Sequence, residues 1–226
     1  MTNMRLVSAA LADSRLAWIK AAIPRRLKRF MLLHVFGADT QPGIHPSRKW
    51  LENDVLAVLP GLGFRRIMFV GTAPYTWHYE RIMRRAGGEW ITCDVNPSAA
   101  VWGARRHAVA RVQDIDIRFA PGYFDAVIFS GVLAFGVAPG SEFDAAISAI
   151  WRVLRPEGLL LLGWNSDAAA DPLLSGGMRR LFRAAVSLPL PSRRSFDEEA
   201  FVYDFQLRAE NHGQSSALGG SSNQKS

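Results

Sequence analysis

Apolar and polar positions along this chain change rhythm near residue 65. Upstream of that point the rhythm is helical. Residues 4–23 read as a helix that Pro24 ends, because proline has no N–H to continue the ladder. Residues 25–36 make a second amphipathic segment, with Leu27, Phe30, Met31 and Leu33 set among basic residues. Residues 37–46 are rich in turn formers and read as a loop, and 50–59 read as a helix closed by Pro60-Gly61.

Downstream, short apolar runs alternate with helical patterns, which predicts parallel βαβ units. Strands are predicted at 67–70, 90–93, 108–112, 125–129 and 159–163, with helices at 75–86, 98–106 and 143–154 between them. The run 159–163 is apolar on both faces, as a central parallel strand should be. A further helix at 178–186 and a last, more exposed alternating strand at 201–207 complete the pattern. The tail from 211 is Gly, Ser, Gln and Asn with almost no bulk, and predicts disorder. No internal repeat is visible. The domain plan is a basic helical extension over 1–40, an α/β domain over 41–208 and a tail over 209–226.

Two strand ends suggest chemistry. The strand Arg66-Ile67-Met68-Phe69-Val70 ends in Gly71, and the next, Glu89-Trp90-Ile91-Thr92-Cys93, ends in Asp94. A glycine lets backbone approach a ligand at the sheet edge, and a carboxylate there can accept from two ribose hydroxyls. This is the front half of a nucleotide-type site.

The 226 residues carry a net charge of +7, unevenly placed. Arg5, Arg15, Lys20, Arg25, Arg26, Lys28 and Arg29 face one acid, Asp13, within the first 36 residues. That asymmetry suits either a solvated helix face or contact with an anionic surface, whether nucleic acid or, peripherally, an anionic membrane. Lone Cys93, inside a predicted strand, reads as a small buried residue and fits a reducing compartment. No apolar run reaches the roughly 20 residues a membrane span needs, and Asp13, Arg15 and Lys20 interrupt any signal-like stretch, so the expected location is cytoplasmic. His34, His45, His78, His107 and His212 show no ligand spacing, so no metal is expected.

Two further segments resemble the class I S-adenosylmethionine-dependent methyltransferases. Phe124-Asp125-Ala126-Val127-Ile128-Phe129 is similar to that family's fourth-strand motif. The block 150–163, with Leu154-Arg155-Pro156-Glu157-Gly158 leading into Leu159-Leu160-Leu161-Leu162-Gly163, is similar to its helix, turn and fifth strand. In that block Pro156 is expected to stop the helix and Gly158 to permit the turn. The resemblance covers about 65–165 and implies a Rossmann-like, doubly wound, mostly parallel α/β sheet with helices on both faces. It also implies S-adenosyl-L-methionine as cofactor, held by Gly71, Thr72 and Ala73 after the first strand and by Asp94 with Val95 after the second. Asp114 would contact the adenine amino group, with Asp116 competing, and Ser130, Gly131 and Val132 would line the methionine end. The first loop departs from the family, because only Gly71 remains of its several glycines and Pro74 stiffens the rest of the loop. Thr72 and Thr76 can supply hydroxyls in exchange, or Thr76 can cap the next helix.

Tyr75 and Trp77 are candidate pocket walls. His78 and His107 are candidate bases by residue type alone, so the catalytic residues stay open. Ser130-Gly131-Val132-Leu133 stands where amino-methylating nucleic-acid enzymes often carry an Asn/Asp-Pro-Pro-Tyr sequence, which argues against nucleic acid and for a small-molecule or lipid-like acceptor. Arg179, Arg180, Arg183, Arg193 and Arg194 are read either as an anion contact or as a solvated face. A non-catalytic methyltransferase-like scaffold is the alternative, and a dinucleotide oxidoreductase fits poorly without a multi-glycine turn.

Overall fold

The computed structural model describes residues 24–34 and 45–210, which fall in two compact units, 1–40 and 41–226. The helix expected over 4–23, the loop over 37–44 and the tail from 211 lie outside the described residues. In the first unit, α1 (Arg25–His34) is helical as its periodicity predicts, and it exposes Leu27 and Phe30. No helix among the described residues is long and apolar enough to cross a membrane.

The second unit is built on one sheet. Its strands are β1 (Arg66–Val70), β2 (Glu89–Asp94), β3 (Arg106–Val109), β4 (Phe124–Ser130), β5 (Leu154–Asn165), β6 (Phe182–Ala184), β7 (Arg193–Phe196) and β8 (Glu199–Arg208). The order is β3-β2-β1-β4-β5-β8-β6, with β7 also on β8. The first five strands run parallel, and β8 is antiparallel to β5. Chain direction across the sheet reverses between β1 and β4, so their carboxyl ends frame the crevice where ligands of such sheets sit.

Alternation along each strand sends successive side chains to opposite faces. Met68, Val70, Val127, Phe129, Leu160 and Leu162 pack with α5 (Ser141–Val153) on one side. Ile67, Phe69, Ala126, Ile128, Leu159 and Leu161 pack on the other with Leu51, Val55, Tyr79 and Met83. Those last four come from a π-helical turn, Leu51–Leu56, that continues α2 (Pro46–Trp50), and from α3 (Tyr79–Arg85). Both faces are therefore covered by helix, as the unbroken apolar runs require. Within α5, burial of Phe143, Ile147, Ile150 and Val153 contributes roughly 1.5–3 kcal/mol for each side chain before ordering entropy is counted. Glu142 and Asp144 in its first turn and Arg152 in its last suit the helix dipole.

Several boundaries differ from expectation for local reasons. The segment expected as a helix over 98–106 is only a 3-10 turn, Pro97–Trp102, and β3 begins earlier than predicted, at Arg106. The α3 region opens with a separate 3-10 turn, Pro74–Thr76. Helix α5 stops at Val153, before Pro156, because the residue preceding a proline is pushed out of the helical region. The left-handed residue of the turn after it is Glu157, at φ 58°. Gly158 is needed for space: a Cβ there would lie 2.7 Å from the Arg155 carbonyl oxygen and 3.2 Å from that of Asp125. The segment predicted as a helix over 178–186 divides into α6 (Gly176–Leu181) and β6. Strand β8, expected to be the exposed one, is buried from Tyr203 to Leu207 because β6 and β7 cover its outer edge.

Charged groups lock that edge. Asp204 is fully buried and accepts from Trp164 Nε1 at 2.8 Å and Arg193 Nε at 2.5 Å. Arg193 also makes a two-pronged pair with Asp171, at 2.8 and 3.0 Å. The Arg193 guanidinium holds Asp171 below the ordinary carboxylate range, against the effect of burial. At the opposite end of the sheet, burial works to raise the Asp125 pKa. The Arg66 N–H, the Arg155 guanidinium and the Arg65 N–H outweigh it and hold the carboxyl low.

Candidate functional site

The carboxyl ends of β1, β2 and β4 enclose a cavity of about 280 Å³. Gly71 leaves β1 at φ 84°, and its N–H donates to the Cys93 carbonyl at 2.8 Å. Any side chain there would be strained by that φ and would also meet Val132 Cγ2 at 2.9 Å. Thr72 comes next, and its N–H donates to Asp94 Oδ2 at 2.7 Å. The Asn96 N–H donates to Asp94 Oδ1 at 2.8 Å.

The Thr72 hydroxyl lies 3.2 Å from Asp94 Oδ2 and 3.0 Å from the Ala99 carbonyl oxygen. It owns one hydrogen and can serve one of them at a time. With that hydrogen on Ala99, each Asp94 oxygen keeps a free lone pair facing a cavity the residue helps to line. A carboxylate in that state can accept from two neighbouring hydroxyls.

Pro74 does not block this space. It occupies the first position of the Pro74–Thr76 turn, where its missing N–H has no partner to lose. Buried Thr76 ties the turn back, donating to the Ala73 carbonyl at 2.9 Å and accepting from its N–H at 3.2 Å. Thr76 thus caps the turn at Ala73 and supplies nothing to the cavity.

Gly71, Thr72, Ala73, Asp94, Val95 and Ser130 all line this cavity, joined by Gly131 and Val132. Asp114 does not. It is exposed, ahead of the short α4 (Ile115–Arg118), while Arg111, Val112 and Gln113 from the same connection form the lining. Asp116 is committed to Arg152 at 2.6 Å.

A second cavity, about 450 Å³, adjoins the first and shares Tyr75, Ser130, Gly131 and Phe135 with it. His45 and Arg48 reach it from α2 and the residue before it; Asn165 closes β5, and Glu199, Phe201 and Tyr203 come from β8. Burial pushes the Tyr203 hydroxyl well above its ordinary pKa, opposed by its hydrogen bond with Ser130. His45 Nδ1 is 3.4 Å from Glu199 Oε2, and the Ser47 N–H donates to Glu199 Oε1 at 2.5 Å.

Other expectations fall elsewhere. Trp77 lines neither cavity. His78 Nε2 is 3.1 Å from Glu52 Oε2 on the flank of α3, and His107 Nδ1 is 2.8 Å from Thr92 Oγ1. Neither histidine lines either cavity. Arg193 is spent on Asp171 and Asp204, and Arg183 on Glu157. No group of three or more His, Cys, Asp or Glu among the described residues can hold a metal. His45 and Glu199 were missed because they stand over 150 residues apart and neither belongs to a motif; only a histidine beside Pro46 at a helix start hints at a fixed position.

A family model described as a methyltransferase domain matches residues 73–162. No curated protein sequence matches the chain. Among solved structures, it is similar to the N-methyltransferase NodS from Bradyrhizobium japonicum in complex with S-adenosyl-L-homocysteine. There the TM-score is 0.58 at 13% identity, over 81% of this chain and 98% of that one. It is also similar to 1,6-didemethyltoxoflavin-N1-methyltransferase from Burkholderia thailandensis, with its substrate and S-adenosylhomocysteine bound: TM-score 0.51, 16% identity, 84% and 89% covered. A 16S rRNA methyltransferase from T. thermophilus matches at TM-score 0.52 and 13% identity, over 77% of this chain and 41% of that one. The acceptors named for the last two, 1,6-didemethyltoxoflavin and 16S rRNA, differ, so the shared fold does not specify one. The matched segment, which is less than half of the chain, and the sheet order together show a methyltransferase-like domain with the Rossmann-like fold of these neighbours.

Proposed function

We propose that this chain is an S-adenosylmethionine-dependent methyltransferase acting on a small-molecule acceptor, with the donor in the first cavity and the acceptor in the second. The observation that carries the reading is the junction. Two cavities meet at Tyr75, Ser130, Gly131 and Phe135, at the carboxyl edge where β1 and β4 part.

The residues present fit the donor. Asp94 offers one lone pair on each oxygen for the ribose diol, and Gly71 leaves the space a Cβ would fill. Ala73 and Thr72 would face the methionine part, and Val95 and Val112 would flank the adenine, with Gln113 beside it. When bound, S-adenosylmethionine supplies a methyl group on a positively charged sulfur. The protein's part is then alignment and exclusion of water, since holding the partners in line can supply much of the rate. Small Gly131 permits close approach at the junction. His45, which lines the second cavity 3.4 Å from Glu199, would take the proton of an acceptor hydroxyl or amine.

Calorimetric titration with S-adenosylhomocysteine tests the donor site. Saturable binding with one ligand per chain is expected. No heat and no thermal shift at millimolar ligand would remove the reading and leave a scaffold role. Methyl transfer to small molecules, tracked with radiolabelled donor, tests the acceptor class; transfer confined to RNA would overturn it.

A further inference from the structure

We infer that the acceptor is a planar molecule bearing a carboxylate, anchored by Arg48. The inference rests on the reading of the first cavity as the donor site. Arg48 lines the second cavity from α2, is half-buried, and carries its guanidinium carbon 3.6 Å above the Tyr75 ring. Among the described residues it has no ion pair and no side-chain hydrogen bond. Neither neighbouring acid pairs with it: Glu52 meets His78 through Oε2, and Glu199 takes the Ser47 N–H and faces His45.

With the cavity empty, water accepts from these donors; a guest that displaces the water has to accept from them in its place. Its planar fork matches a carboxylate, which can take two parallel hydrogen bonds. The ring beneath fixes the plane of that fork.

The walls point to the rest of the molecule. Phe69, Tyr75, Phe135, Phe201 and Tyr203 present aromatic surface around the same space. Flat faces favour a flat guest in offset or edge contact. Phe135 is 69% exposed although it lines both cavities, so a guest that covers it removes a large apolar surface from water. At about 450 Å³ the space suits one or two fused rings with a substituent.

The test uses the full chain and two probes of like shape, 1-naphthoate and the uncharged 1-naphthamide, titrated calorimetrically with and without saturating S-adenosylhomocysteine. Naphthoate is expected to bind at least about tenfold tighter than the amide, the worth of a charge-assisted hydrogen bond. Arg48→Gln should erase that preference and Arg48→Lys should restore part of it. S-adenosylhomocysteine binding by Arg48→Gln should match the parent, which also reports that the variant folds. Equal binding of the two probes, binding of neither, or a preference that survives Arg48→Gln overturns the inference. Loss of S-adenosylhomocysteine binding by the parent instead removes the donor reading, and the probes alone then decide whether Arg48 selects carboxylates.

Discussion

Replacing Asp94 with Asn separates a ligand-gripping carboxylate from a loop fastening. In the parent, Oδ2 accepts the Thr72 N–H and Oδ1 the Asn96 N–H, with one lone pair left on each. The amide keeps a single acceptor oxygen and sets an NH2 group against one of those N–H donors. A hydrogen bond to a charged group is worth about 1.5–3 kcal/mol, so two ribose hydroxyls put at stake about 3 kcal/mol at the lower end. That end applies because Asp94 is only half-buried. The dissociation constant for S-adenosylhomocysteine should therefore rise by about two orders of magnitude. At a ligand concentration about 100 times the parent's dissociation constant, the parent gains about 2.7 kcal/mol of stability and the variant about 0.4 kcal/mol. Thr72→Val is the control. It removes a hydroxyl whose hydrogen bond is worth about 0.5–1.5 kcal/mol but keeps the N–H to Asp94, so affinity should stay within about threefold. Calorimetry gives the affinities, and melting curves without ligand give each variant's own stability. If Asp94→Asn binds within about threefold of the parent, or Thr72→Val loses as much as Asp94→Asn, the lone-pair argument is wrong.

Groups outside the cavities supply two more expected outcomes. Asp204→Ala removes the acceptor of both Trp164 and Arg193, and breaking such a buried pair costs about 3–5 kcal/mol. Arg193 is partly exposed and keeps Asp171, so the low end is expected in urea unfolding, and a loss under about 1 kcal/mol would contradict the role given to the network. Cys93 is fully buried, and burial with the nearby Asp94 charge pushes its thiol up to about 12. The native chain should leave a disulfide reagent unreacted at mildly alkaline pH and consume one equivalent once urea unfolds it; rapid native reaction would show that β2 opens.

The sequence was legible where both faces of an element are buried. Residues 67–70 of β1, 126–129 of β4 and 159–162 of β5 are unbroken apolar runs, because helices cover them on both sides. It was least legible where polar chain becomes strand by pairing alone. β7 reads Arg193-Arg194-Ser195-Phe196 and exists because β8 offers it an edge. β3 begins with Arg106 and His107 for the same reason, against β2. Pro97 starts a turn that its hydrogen bonds keep to a single 3-10 segment, so the apolar spacing after it overstated a helix.

The same division runs through the site. Gly71, Asp94 and Ser130 could be named in advance because any parallel sheet wound this way delivers its strand ends to one crevice, so position along the strand fixes position in space. Most of the second cavity is not built that way. Arg48 comes from a helix before the first strand and Glu199 and Tyr203 from the antiparallel β8, all outside the 65–165 stretch that carries the resemblance. Strand β8 also shows why residues of the second cavity are hard to alter freely. Tyr203 faces the second cavity while Asp204, the next residue, turns to the opposite face and clamps Trp164 and Arg193. A one-residue slip of β8 against β5 would carry the buried carboxylate into the aromatic wall and Tyr203 into the clamp. The clamp that stabilises the sheet edge therefore also fixes the register on which the wall of the second cavity depends.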